Sequence, residues 1–236
     1  MDNSIKKRYW ICFSLMAFIL VADQALKIWI KCNFVIGGYI DMIGDWFKLY
    51  FIENEGLAFG LSLGDGIGKT ILTVFRIVFS ICLLVVLIRC IKKKVRYFML
   101  VALSLIIVGA LGNVIDSCFY GLIFSESTHT DVAVLFPSEG GYTSFMHGRV
   151  VDMLYFPLFH WIWPDWIPGL GGRHAEFFSA IFNIADSAVC VGAGMLVVDI
   201  IHQDRKKKKG SNVSGNNEES VSNSSENAEE TAVEAE

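Results

Sequence analysis

Four stretches of this chain are apolar enough, for long enough, to exclude almost every soluble fold. They cover residues 9–30, 70–91, 97–115 and 177–201. A helix needs roughly 20 mostly apolar residues to cross the hydrocarbon of a bilayer, and all four approach or exceed that length. Composition agrees: 53% of the 236 residues are hydrophobic and only 19% charged, whereas soluble domains carry about a quarter charged residues. Lys6, Lys7 and Arg8 precede the first stretch, as they would in a cleaved signal peptide. Its apolar run is too long for that, and no small-x-small cleavage site follows, so it is expected to stay in the mature protein.

The formal net charge of −4 hides two regions of opposite sign. Residues 210–236 contain seven glutamates and no Lys or Arg, amid Ser and Asn, while the rest holds 17 acidic and 20 basic groups. A segment with so little to bury and so much self-repulsion is expected to be a disordered tail. This leaves a four-span domain over residues 1–209. Basic residues crowd the start of span one, the 92–96 link (with Arg89 just before it) and the stretch Arg205 to Lys209. By the positive-inside rule both termini and that link face the cytoplasm, and the connections 31–69 and 116–176 face outward.

The first outer connection reads as a strand at residues 46–53, in a small sheet on the membrane surface. The second carries Trp161, Trp163 and Trp166 among Pro157, Pro164 and Pro168, an aromatic anchor at headgroup level in the simplest reading. The fold class is therefore an all-α membrane core with a small extracytoplasmic β element and an extended outer loop. The six cysteines include no C-x-x-C pair and no zinc-ligand spacing, and Cys82, Cys90 and Cys190 read as small apolar residues within their runs.

Polar residues sort by depth. At 1.5 Å per residue, Asp23 and Lys27 lie about 22 and 28 Å beyond Arg8, and Asn113 and Asp116 about 26 and 30 Å beyond Arg96. Counting back from Arg205, Asp186 and Asn183 lie about 28 and 33 Å away. Three spans thus bring polar groups to one layer near the outer surface. Asp23 and Lys27 are i, i+4; Asn113 and Asp116, like Asn183 and Asp186, are i, i+3, so each pair is expected to share a helix face. Gly109, Ala110, Gly112, Ala180 and Ala185 surround them, and small residues let backbones approach closely. Asp152, inside an apolar run after Gly148 and Arg149, and Asn54, closing the expected strand, join from the outer connections.

Each group also has a structural reading. Asp23 and Lys27 form an ion pair, Arg76 is satisfied by any carboxylate, Asp199 reaches water at the inner end, and Asp152 and Asp186 serve as loop polarity and helix–helix contacts. A cluster of intramembrane ionisable groups invites a functional reading all the same.

Taken together, five motifs resemble the lipoprotein signal peptidases (signal peptidase II), aspartyl proteases of the bacterial cytoplasmic membrane. They are Asp23-Gln24 with Lys27; Asn54-x-Gly56-x-Ala58-Phe59-Gly60; Gly112-Asn113-x-x-Asp116; Val150-Val151-Asp152-Met153; and Phe182-Asn183-x-Ala185-Asp186-Ser187. They occur in family order across residues 15–200. The resemblance implies Asp152 and Asp186 as the catalytic pair, with Asn54, Gly56, Asn113, Asp116 and Asn183 around it and Asp23 and Lys27 shaping the site. It implies no metal and no cofactor. The substrate would be a prolipoprotein, cut before its diacylglyceryl-modified Cys at the periplasmic side of the inner membrane. Membrane lipids would be the only other partners, with no nucleic acid, and a monomer would suffice. Two departures stand out. Ser117 occupies the place of a usual arginine, so any substrate contact made there is either absent or supplied elsewhere, with Arg149 and Arg173 as candidates. Extra chain around 122–147 and 157–176 has room to form a lid or partner surface. A proton-coupled transporter would also use buried Asp, Lys and Asn, but nearer the midplane, and a non-enzymatic assembly factor would use the outer connections for docking.

Overall fold

The computed structural model describes residues 2–55, 67–177 and 179–205; Gly56 and the expected tail at 210–236 lie outside the described residues. Four described helices are long and apolar enough to cross a membrane: Asn3–Asn33, Ile67–Lys92, Tyr97–Ile123 and Ile184–Arg205. The first two are α1 and α2. The third comprises α3 (Tyr97–Ile115), a π-helical turn at Asp116–Tyr120 and a last short turn, α4 (Gly121–Ile123). The fourth is α5. Phe18, Val21, Phe75 and Val78 point outward and are more than half exposed, an apolar surface of the kind that meets lipid.

The described residues divide into two units, one up to Ala193 and one from Gly194 onward. The second is described as far as residue 205, where Gln203 donates to Asp199 one turn back at 2.6 Å. Within the first unit, Arg8 donates to the Val95 carbonyl and lies 4.5 Å over the Tyr97 ring. The start of α1 and the α2–α3 link therefore share one end of the bundle. Further along, α3 and α5 approach so closely that a Cβ on Gly109 would sit 2.2 Å from the Ala185 carbonyl oxygen. This is the close approach expected from the small residues there.

The β element is a small sheet, as expected, but it draws strands from well beyond the first long connection. β1 (Tyr39–Ile43), β2 (Phe47–Asn54), β3 (Val150–Tyr155) and β6 (Ile181–Phe182) form an antiparallel sheet in the order β1-β2-β3-β6. β4 (Phe159–Ile162) and β5 (His174–Phe177) form a separate hairpin. Leu49, Phe51, Val151 and Met153 bury themselves with Ile30, Phe34, Tyr120 and Phe124, a core that seats the sheet on the ends of α1 and the π turn. Two registers matter for the site. Ile52 pairs with Asp152 and Asn54 with Val150; Leu154 pairs with Phe182, which delivers Asn183 beside Asp152.

The fourth apolar run begins at residue 177, yet its helix begins at Ile184. Phe177, Ile181 and Phe182 are apolar because they build strands. The extra chain also acquires form. Its first part folds back on α4 through the Phe124–Leu135 bridge and Tyr142 N–H to Phe124 O at 3.0 Å. It is fastened by Lys31, which pairs with Glu53, donates to Ser127 at 2.8 Å and lies 5.0 Å over the Tyr142 ring. Its second part is the β4–β5 hairpin, with Trp166 80% exposed in its connecting turns.

Candidate active site

The site is assembled where α1, the third spanning helix, β2, β3 and the start of α5 meet. α1 supplies Asp23, Gln24 and Lys27, all facing α3. Lys27 is fully buried and donates to Asp23 Oδ2 at 3.0 Å, Asp116 Oδ2 at 2.7 Å and Asn113 Oδ1 at 2.9 Å. Its three N–H groups thus meet three acceptors, which is what a buried ammonium requires. Gln24 bridges Asp116 Oδ1 (2.9 Å) and Asp23 Oδ2 (3.1 Å), and accepts from the Tyr120 hydroxyl at 3.2 Å.

The π turn places Asp116. A π turn holds one more residue than an α turn and is frequently found at functional sites. Here it lets Asp116 point back to Lys27 while its Oδ2 also accepts from the Val151 N–H at 3.3 Å. That bond pins β3 one residue away from Asp152.

α5 supplies the last part through its first turn. Asn183 is the N-cap, and its side-chain Oδ1 accepts from the Asp186 N–H at 2.8 Å. Asp186 returns the bond, accepting from the Asn183 N–H at 3.4 Å. This is a capping box, with Asp in the place more often held by Glu or Gln. The Ala185 N–H, another unpaired donor of the first turn, is taken by Asp23 Oδ1 at 2.9 Å. The i, i+3 spacing of Asn183 and Asp186 therefore reflects a cap, rather than one face of a helix.

Asp152 and Asp186 are joined by two asparagines. Asn183 donates from its side-chain amide to Asp152 Oδ1 at 2.6 Å and to Asn113 Oδ1 at 3.1 Å. Asn113 donates in turn to Asp186 Oδ1 at 2.7 Å, and Asn54 reaches Asp152 Oδ2 at 3.2 Å. Asp23, Lys27, Asn54, Asn113, Asp116, Asp152, Asn183 and Asp186 thus form one connected network. Burial first, and then the negative charge of Asp186, push the Asp152 carboxyl up to about 7; the amides of Asn54 and Asn183 and the charge of Lys27 act the other way.

Three participants were not among the expected site residues. Gln24 stands in the first motif without a role of its own, and Tyr120 lies one turn beyond Asp116. Arg76 lies on α2, and the carboxylates of Asp186, Asp152 and Asp116 all act on its charge. Ser117 is buried under Gly148, whose N–H donates to the Ser117 carbonyl at 2.8 Å. Arg149 is committed elsewhere, binding Glu53, Glu55 and Glu126 at 3.2–3.3 Å. Arg173 lies in the turns between β4 and β5, where its backbone pairs with Trp163.

Residues 15–202 match the family model described as Signal peptidase (SPase) II. A lipoprotein signal peptidase from Porphyromonas gingivalis (strain W83) is 47% identical over 188 residues, covering 78% of this chain and 80% of that protein. One from Amoebophilus asiaticus (strain 5a2) is 34% identical over 196 residues, covering 82% and 78%. Two solved structures described as bacterial membrane enzymes share the fold. One has a TM-score of 0.54 at 23% identity over 82% of this chain and 89% of that one. The other has 0.51 at 24%, over 80% and 92%. The chain belongs to the signal peptidase II family.

Proposed function

We propose that this family member removes signal peptides from diacylglyceryl-modified prolipoproteins, cutting before the modified Cys, with Asp152 and Asp186 as its acid–base pair. The observation that carries the reading is the bridge Asp152–Asn183–Asn113–Asp186, which fixes two carboxyls from distant parts of the chain in one network. Two carboxyls sharing a site do not both ionise readily, because each charge raises the pKa of the other. One proton is then shared by the pair.

Hydrolysis follows from that state. The ionised carboxylate takes a proton from water as the water oxygen attacks the scissile carbonyl. The protonated partner donates to the developing oxyanion. As the tetrahedral intermediate collapses, the C–N bond breaks and the leaving amine receives a proton from the pair. Asn54 and Asn183 hold Asp152 and Asn113 holds Asp186, so neither acid has to reorient during the reaction.

In this reading both termini and the α2–α3 link are cytoplasmic, as the basic residues there require. The sheet and the acid pair then lie at the periplasmic face of the inner membrane. A signal helix in the bilayer reaches the pair with its lipid chains still in hydrocarbon, and one copy of the chain supplies the whole network. The test is purified protein incubated with a lipid-modified precursor: Asp152→Asn and Asp186→Asn should each fold and lose activity by about 10³-fold or more. Either variant cleaving near the wild-type rate overturns the assignment.

A further inference from the structure

We infer that Arg76 binds substrate, its guanidinium taking a carbonyl oxygen of the lipid-modified precursor beside the acid pair; this rests on the peptidase reading above. α2 buries Gly68, Thr73, Ser80, Leu87 and Ile91. Arg76 is three residues after Thr73 and four before Ser80, so it shares their inward face. The outer turns of that face lie against the segment leading into β3: Thr73 donates to the Met146 carbonyl at 3.4 Å, and Thr70 bonds His147 at 3.1 Å. Roughly 14 Å into the helix from Ile67, Arg76 is half-buried and in the field of Asp186, Asp152 and Asp116.

Its guanidinium nevertheless makes no hydrogen bond or ion pair with any described residue. The other buried cations of this region are fully engaged: Lys27 has three acceptors, and Lys31 has Glu53 and Ser127. Placing an arginine within a membrane span is costly, and here no fixed partner among the described residues offsets that cost. A guanidinium has five donors and no acceptor, so its ligand must bring lone pairs.

The precursor brings them. A peptide held extended for cleavage exposes carbonyl oxygens that need donors at membrane depth, and the diacylglyceryl group carries ester carbonyls. Both are the same chemistry to Arg76. Arg149, the nearest alternative in sequence to β3, is already held by three glutamates.

The experiment compares wild type, Arg76→Gln and Arg76→Lys on a precursor peptide bearing diacylglyceryl-Cys and on its ether-linked analogue. Arg76→Gln should raise KM about tenfold or more, the worth of a charge-assisted hydrogen bond, with kcat within about twofold. Lysine should restore part of the loss, since it keeps the charge without the fork. A penalty that persists on the ether analogue identifies a peptide carbonyl; one that vanishes identifies an ester carbonyl. If Gln prevents folding, Arg76→Lys carries the test, with KM raised and kcat kept. An unchanged KM, or a loss confined to kcat with a displaced pH profile, overturns the inference. An inactive wild type overturns the peptidase reading instead.

Discussion

Asn183 holds Asp152 and caps the neighbouring helix with the same side chain, donating to Asp152 Oδ1 at 2.6 Å while accepting from the Asp186 N–H at 2.8 Å. The two duties are separable. Asn183→Ala should lower stability by about 0.5–2 kcal/mol through loss of the cap and should also remove most activity. Serine caps nearly as well but is too short to span Asp152 and Asn113, so Asn183→Ser should regain the melting temperature without the activity. Thermal unfolding in detergent beside a cleavage assay checks both.

Asp152 gives a pH dependence with a definite sign. Its carboxyl stands at about 7 in the fold against an ordinary 3.8. Between those values the folded protein keeps a proton that the unfolded chain has released, so the fold loses stability as pH rises through this window. If the pair acts as proposed, the rate should have a matching alkaline limb near 7, where the pair gives up its shared proton. Asn54→Ala removes a donor that favours the charged form, so the limb should move to higher pH. A kcat/KM profile over roughly pH 5 to 9 reads the shift.

Lys27 pairs with two buried acids at once. Replacing it with Met leaves Asp23 and Asp116 without their counter-charge and should cost about 3–5 kcal/mol. Adding Asp116→Asn removes one of the stranded charges, so the double variant should lose much less than the sum of the singles. A double-mutant cycle on unfolding free energies measures that coupling.

Gly109 sets the distance between α3 and α5. Valine there would push into the Ala185 carbonyl, one residue from Asp186, and should cost about 1–3 kcal/mol as well as activity. Gly194→Ala is the control, because its Cβ would meet nothing within 4 Å and should leave both quantities near wild type.

The spans were legible because hydropathy over some 20 residues is a strong, local signal, and the layering of Asp23, Lys27, Asn113 and Asp116 followed from the fixed rise of a helix. The start of α5 was not. Ile181 and Phe182 are only two residues long as a strand and owe that state to Leu154 and Tyr155 across the ladder, a partner far away in sequence. The same limit hid the cap, since i, i+3 spacing fits both a helix face and a box. Nothing local marks the π turn either: its geometry is fixed by what Asp116 and Tyr120 bind. Gly56 and the 210–236 tail lie outside the described residues.

The wide turn after Ile115 has a consequence for anyone aligning or redesigning this segment. Its additional residue puts everything downstream out of phase with α3 by about a quarter-turn, so no single periodicity describes the stretch from Tyr97 to Ile123. Deleting one residue at 117–119 would yield a more regular rod, and would swing the Tyr120 hydroxyl away from its glutamine. The irregularity is what keeps both ends of that rod correctly aimed.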